Sequence, residues 1–157
     1  MGQYKLEIVS KKKEFDPIST NLLFEIKEDL GIISIENIGY TEFFEIELNE
    51  SQETVTKMSN EIFVDPITQT LTINELGIKE FDFFVEVKLL PVMTDNTAII
   101  AVRATEDYLN RKLTESEKIS FGKKYYFKGK TSDEQINLMC TGLLSNSQIE
   151  QYTVQKK

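Results

Sequence analysis

Few side chains in this sequence could act on a substrate, and those present are carboxylates, lysines and a single thiol. Histidine is absent. That removes Ser-His-Asp and Cys-His relays and ordinary zinc sites. Cys140 is the one thiol. It follows Met139 on the apolar face of a predicted helix, with no basic neighbour in sequence, so it reads as a buried small hydrophobe rather than a nucleophile. Asp16, before Pro17, and Asp95, after Thr94, read as helix caps, with contact to a partner subunit as their second use. The glycines are scattered, so no phosphate-cradling loop is present, and the carboxylates lack EF-hand spacing. Catalysis by the chain alone is not expected, nor is a bound cofactor or metal.

A cluster of lysines is the other chemical feature. Lys118, Lys123, Lys124, Lys128 and Lys130 surround Tyr125, Tyr126 and Phe127. Aromatics on a basic strand can stack nucleic-acid bases. The chain is acidic, however, with a net charge of −8, and its only arginines are Arg103 and Arg111. No nucleic-acid binding is expected, and the stretch reads as an alternating core strand. The matching stretch of the first half carries Glu36, Glu42, Glu45 and Glu47, so that Lys123 falls on Glu42 and Lys128 on Glu47. Three readings follow: complementary charge between the halves, a basic strand facing an acidic partner or a nucleotide phosphate, or two solvated faces. The whole net charge resides in the first half, since residues 80–157 are balanced.

The elements that must position these residues occur twice. Residues 4–9 alternate as a strand with Tyr4, Leu6 and Ile8 on one face. Asp16-Pro17 opens a helix carrying Leu22, Ile26 and Leu30, and Gly31 stops it. Residues 33–48 form a long strand with Phe44, Ile46 and Leu48 alternating with glutamates, and Gly39 predicts a bulge or bend. Ser51 opens a helix with Val55, Met58 and Ile62; Asp65-Pro66 breaks it, and 68–73 is a short strand. The second copy has a strand at 81–90, then a helix capped by Thr94 or Asp95 and bearing Ile99, Ile100, Val102 and Leu109. A strand at 119–127 and a helix opened by the capping-box pair Ser132 and Gln135 follow. Residues 149–154 close the unit. Asp16 falls on Asp95 and Ile73 on Val154, a repeat of about 80 residues.

The expected fold is therefore α+β: a two-layer tandem duplication of a β-α-β-α-β unit, with helices on one face of each sheet. Residues 1–79 and 80–157 form the two repeats, packed as one pseudo-dimeric domain. No apolar run approaches the ~18–20 residues of a membrane span, and the first residues do not read as a secretory signal. A lone cysteine fits a reducing compartment, so a cytoplasmic location away from membranes is expected.

The segments KISFGKKYYF and INLMCTGLLSNSQIEQYTV resemble the small subunit of phosphoribosylformylglycinamidine synthase, the PurS family. Gly122-Lys123, Met139-Cys140, Leu143-Leu144, Asn146, Ile149-Glu150 and Tyr152 carry the resemblance. The stretch LLPVMTDNTA also resembles the second repeat in the amino-terminal domain of the large fused synthase. The first copy keeps Asp16-Pro17 but has Thr41-Glu42 in place of the Gly-Lys and Asp65 in place of the Asn. PurS is usually a single unit that dimerises, whereas here two units share one chain.

The resemblance implies a structural role in de novo purine biosynthesis. Such a subunit or domain bridges the glutaminase and synthetase components of an amidotransferase, while ATP, Mg and glutamine are used by the whole complex. It makes Asp16, Asp95, Gly122, Lys123, Lys128 and Asn146 candidate partner-interface residues, with self-association a further possibility. The alternative from another class is an ACT-like regulatory module that binds a small effector between its repeats.

Overall fold

The local signals of the sequence place most elements. In the computed structural model, which describes residues 1–157, strand β1 (Gly2–Ser10) leads through a single 3-10 turn into helix α1 (Pro17–Leu30). Pro17 lacks the amide hydrogen that a first helical turn leaves unpaired, and the Asp16 carboxylate accepts from the Ser19 amide. Strand β2 (Ile35–Leu48), helix α2 (Gln52–Ile62), strand β3 (Gln69–Ile73) and strand β4 (Phe83–Leu89) follow. Helix α3 (Asn96–Leu109) is capped by Asp95 rather than Thr94. Strand β5 (Lys118–Gly129) precedes helix α4 (Asp133–Met139), whose capping box is formed by Ser132 and Gln135 as the sequence predicts. One π-helical turn over Cys140–Leu144 leads to strand β6 (Glu150–Lys156).

The six strands make one antiparallel sheet in the order β3-β1-β2-β5-β4-β6. Each half thus contributes three strands in the same internal order, and the halves join where β2 lies against β5. This seam is the most extensive strand pairing in the molecule. Its register sets Glu42 opposite Lys123, Phe43 opposite Gly122 and Glu47 opposite Lys118.

Alternation along the strands sorts side chains between two faces. Ile38, Phe44, Ile46 and Leu48 of β2 enter cores built with helices; Thr41, Phe43, Glu45 and Glu47 point the other way. One core joins Leu22 and Ile26 of α1 to Ile136 and Met139 of α4 and Cys140 of the following turn, over Phe83, Val85 and Phe127. The other joins Val55 and Met58 of α2 to Ala101 of α3, over Leu6, Phe44, Ile46 and Ile119. Each core therefore draws one helix from each half, and neither half could bury its apolar surface alone. Ile26 and Leu144 are buried, while Leu30 and Ile62 are only half-buried. No helix is long and apolar enough to cross a membrane.

Two local expectations need correction. Gly39 does not mark a bulge; the register of β2 against β5 shifts between Ile35 and Asn37 instead. Gly39 provides room, because a β-carbon there would stand 2.2 Å from the Ile78 side chain. Ile78 belongs to the segment between β3 and β4, which returns across the sheet face opposite the helix-lined cores. There Leu76 and Ile78 pack with Phe81, Phe84 and Tyr126. On α3, Ile99 and Ile100 are exposed, and the buried stripe is Ala98, Ala101 and Thr105. Ala98, Ala101 and Thr105 recur at helical spacing on the face toward the sheet, and Ile99 and Ile100 lie off that face.

Candidate functional site

The two aspartates cap equivalent helices and also tie them to the sheet in the same way. Asp16 accepts from the Tyr40 amide on β2 at 3.2 Å, in addition to Ser19. Asp95 accepts from Ala98 at 3.0 Å and from the Phe121 amide on β5 at 3.4 Å. Beside each cap lies a small cleft. The first, about 150 Å³, is lined by Asp16, Ile18, Tyr40, Glu42 and Gln69. The second, about 260 Å³, is lined by Asp95, Thr97, Phe121, Lys123 and Glu150. The clefts differ most at one position, acidic Glu42 in one and basic Lys123 in the other. The Glu42 carboxylate accepts from the Tyr40 hydroxyl at 3.3 Å. That contact and burial hold the phenol far above its ordinary pKa, with burial the larger cause.

Glu42 and Lys123 also face each other across the seam. In the sequence alignment of the two halves they fall on the same position. In a dimer of identical units that position would face its own copy, with like charge opposed. Here residues of opposite charge occupy facing positions in the register, without a direct ion pair, an arrangement that favours association of unlike halves.

The remaining lysines do not form one surface. Lys123 is exposed on the helix side, whereas Lys124 is almost wholly buried on the other. Lys128 lies opposite Asn37, not near Glu47, and pairs with Asp82 at 3.4 Å. Gly122 is buried against Phe43, and a β-carbon there would stand 2.2 Å from the ring. Asn146 closes the turn before β6: its side-chain oxygen accepts from the Gln148 amide, and its own amide donates to Glu150. Asp65 makes the same pair of contacts with Ile67 and Gln69 before β3. Of the six candidate residues, Asp95, Gly122 and Lys123 therefore gather at the second cleft, Asp16 belongs to the first, and Lys128 and Asn146 stand apart.

One buried, heavily engaged carboxylate is a group that sequence reading passes over. Glu7, on β1, is buried on the face opposite the helix-lined cores. Its carboxylate accepts from Tyr126 at 2.6 Å, Thr41 at 2.9 Å, the Gly77 amide at 3.0 Å and Lys124 at 3.3 Å. Lys124 also reaches Glu86 at 3.2 Å, and its ammonium lies 3.9 Å from the centre of the Phe84 ring. Glu86 in turn pairs with Lys5 at 2.5 Å, and Lys5 lies over Phe43. Two acids and two bases thus form a neutral chain spanning β1, β5 and β4, with the Leu76–Ile78 stretch over one end. Burial and the Glu7 contact raise the Tyr126 phenol far above its ordinary pKa. The available signal was positional: Glu7 and Lys124 alternate with core residues on strands that the topology makes internal.

A second charged clamp joins the halves at the end of the seam. The Glu117 side chain is fully excluded from solvent. It accepts from both terminal nitrogens of Arg111 at 2.7 and 2.8 Å and from the amides of Asn49 and Thr114 at 2.9 Å each. Arg111 also reaches Glu50 at 3.1 Å. The Arg111 hydrogen bonds hold the Glu117 carboxyl well below the usual carboxylate range despite its burial.

Cys140 sits in the α1–α4 core with no solvent exposure. Burial pushes its thiol up to about 11, so at neutral pH the nucleophilic thiolate is a trace species. A soluble disulfide reagent should modify Cys140 only as fast as the core opens. Equal rates in native and denatured protein would overturn that placement. No three acidic or thiol side chains converge to hold a metal ion. No family model matches the chain, and no curated protein matches it.

Proposed function

We propose that the chain is a tandem duplication of a PurS-like unit, with all four helices against one face of a shared sheet. It serves as a non-catalytic subunit or domain of phosphoribosylformylglycinamidine synthase that bridges the glutaminase and synthetase components in the cytosol. The observation that carries the duplication is the recurrence of cap and turn contacts at equivalent positions. Asp16 and Asp95 each cap a helix and hold an amide of the following strand. Gly31 and Asn110 end those helices in the left-handed conformation, at φ 66° and 54°. Ser51 and Ser132 cap the second helices through Thr54 and Gln135. Asp65 and Asn146 close the same turn. Contacts this local, repeated in this order, support descent from one unit more strongly than a shared strand order does.

The PurS motifs of the second half support the synthase role. The Gly122-Lys123 pair and Asp95 meet at one exposed cleft, where a partner subunit can reach Lys123. Purified chain should restore glutamine-dependent amidine formation to a synthetase-glutaminase pair lacking this component, while turning over neither ATP nor glutamine alone. Failure of restoration, with the chain folded and in excess, sinks the assignment. The ACT-like alternative draws on the same cleft, whose mixed lysine and aspartate lining suits a small zwitterion. A rise in melting temperature with an amino acid or nucleotide, and no partner present, would favour it.

A further inference from the structure

We propose that β6 is a homodimer interface, pairing antiparallel with β6 of a second copy about a two-fold axis at Thr153 to form a continuous twelve-stranded sheet. Strand β6 is an edge: β4 covers one side and no strand covers the other. Edges this long are normally blunted by proline, a bulge or an inward charge. Glu150–Lys156, sequence EQYTVQK, has no proline or glycine and pairs with β4 in unbroken register.

The backbone fixes which residues can bond outward. Leu90 donates to the Ile149 carbonyl at 2.8 Å, and Lys157 donates to the Asp82 carbonyl at 2.9 Å. Both bonds continue the β4–β6 register, so the odd-numbered residues turn their backbone groups toward β4. Antiparallel alternation then leaves Glu150, Tyr152, Val154 and Lys156 with amides and carbonyls directed to the free edge.

The sequence reads as its own complement about Thr153. In that register Glu150 faces Lys156 of the second copy, Gln151 faces Gln155, and Tyr152 faces Val154, each twice. The outward-bonding residues pair only with one another, as an antiparallel ladder requires, giving about eight backbone hydrogen bonds. Sliding the register by two residues in either direction keeps the hydrogen-bond parity but separates Glu150 from Lys156. Charge therefore selects one register among those the backbone allows.

The side chains are placed to take part. Val154 is 38% exposed, and Lys156 is exposed with its ammonium paired to Asp133, a surface contact that Glu150 of the second copy would share or replace; one oxygen of Glu150 is used by the Asn146 amide and the other has no hydrogen bond. Tyr152 and Val154 border an open groove against Ile136 and Asn137 of α4, which Tyr152 and Val154 of the second copy would extend. The opposite edge, β3, has five residues, QTLTI, and no charge with which to choose a register. A self-complementary edge makes an isologous contact that closes as a dimer; pairing β6 with β3 would propagate into filaments.

Sedimentation of the purified chain at up to about 100 µM should show a reversible monomer-dimer equilibrium. Val154→Pro removes one outward amide and leaves the β4 pairing intact, so it should abolish the dimer with an unchanged circular dichroism spectrum. Lys156→Glu sets like charges opposite each other at both ends and should weaken association about tenfold or more. The double exchange Glu150→Lys with Lys156→Glu should restore it. A monomeric wild type overturns the proposal, even if β6 is later protected by another protein. So does a dimer that survives Val154→Pro, or one indifferent to Lys156→Glu.

Discussion

Lys124→Met should lower the unfolding free energy by about 3 kcal/mol, the order expected when one partner of a buried ion pair is removed. Methionine keeps the length and apolar stem of lysine, so the change isolates the charge. Glu7 would retain its bonds from Tyr126, Thr41 and Gly77. It would lose its only cation within bonding distance while remaining excluded from solvent. Against a typical domain stability of about 5–15 kcal/mol, that is a large fraction. Urea denaturation measures it directly. The combined Lys124→Met and Glu7→Gln variant should lose less than the two single changes added together, because the charge left unpaired by one is removed by the other. The Gly77 amide depends on Glu7, so amides of the Leu76–Ile78 stretch should exchange faster with solvent in Lys124→Met. If the single variant melts like the wild type, the buried chain of charges contributes nothing and the return of this segment has another cause.

Much of the architecture was legible because local chemistry and long-range pattern agree. Asp16-Pro17, Ser51, and Ser132 with Gln135 are helix-start signals that act within a few residues, and each one holds. Strand alternation at Leu6, Ile8, Phe44, Ile46 and Leu48 identified a core face that the structure retains. What sequence could not supply was the covering of the other face. Alternation says that Glu7 and Lys124 share a side of their strands; it does not say that Leu76 and Ile78 will return across that side and exclude water. The lysines of β5 therefore read as one basic feature, while the topology divides them. Lys123 goes to the helix side at the seam, Lys124 to the buried network, and Lys128 to Asp82. The exposed Ile99 and Ile100 have a related cause. The face that α3 turns inward carries Ala98, Ala101 and Thr105, whereas hydrophobicity alone favours the larger residues. Gly39 was flagged for conformation and matters for space.

Acid should weaken the protein partly through Glu117, and Glu117→Gln should reveal how much. The folded carboxyl is held below its ordinary value by Arg111 and by the amides of Asn49 and Thr114. A carboxylate depressed in this way contributes stability that is fully present above the unfolded-state pKa, roughly 4.3. That contribution is lost as pH falls from about 5 through the lower folded-state value, because the proton binds more readily to the unfolded chain. At neutral pH Glu117→Gln should therefore be clearly less stable than the wild type, since glutamine offers Arg111 no charge. Between about pH 5 and pH 2 the wild type should lose stability faster, so that the two urea midpoints converge. The clamp joins the loop after β2 to the segment before β5, one from each half. Its loss should open the end of the seam near Glu47 and Lys118 before the Glu42–Lys123 centre, and amide exchange along β2 and β5 would resolve that order. A constant gap between the two proteins across that pH range would show that Glu117 keeps its proton affinity on unfolding. The Arg111 clamp would then be no source of acid lability.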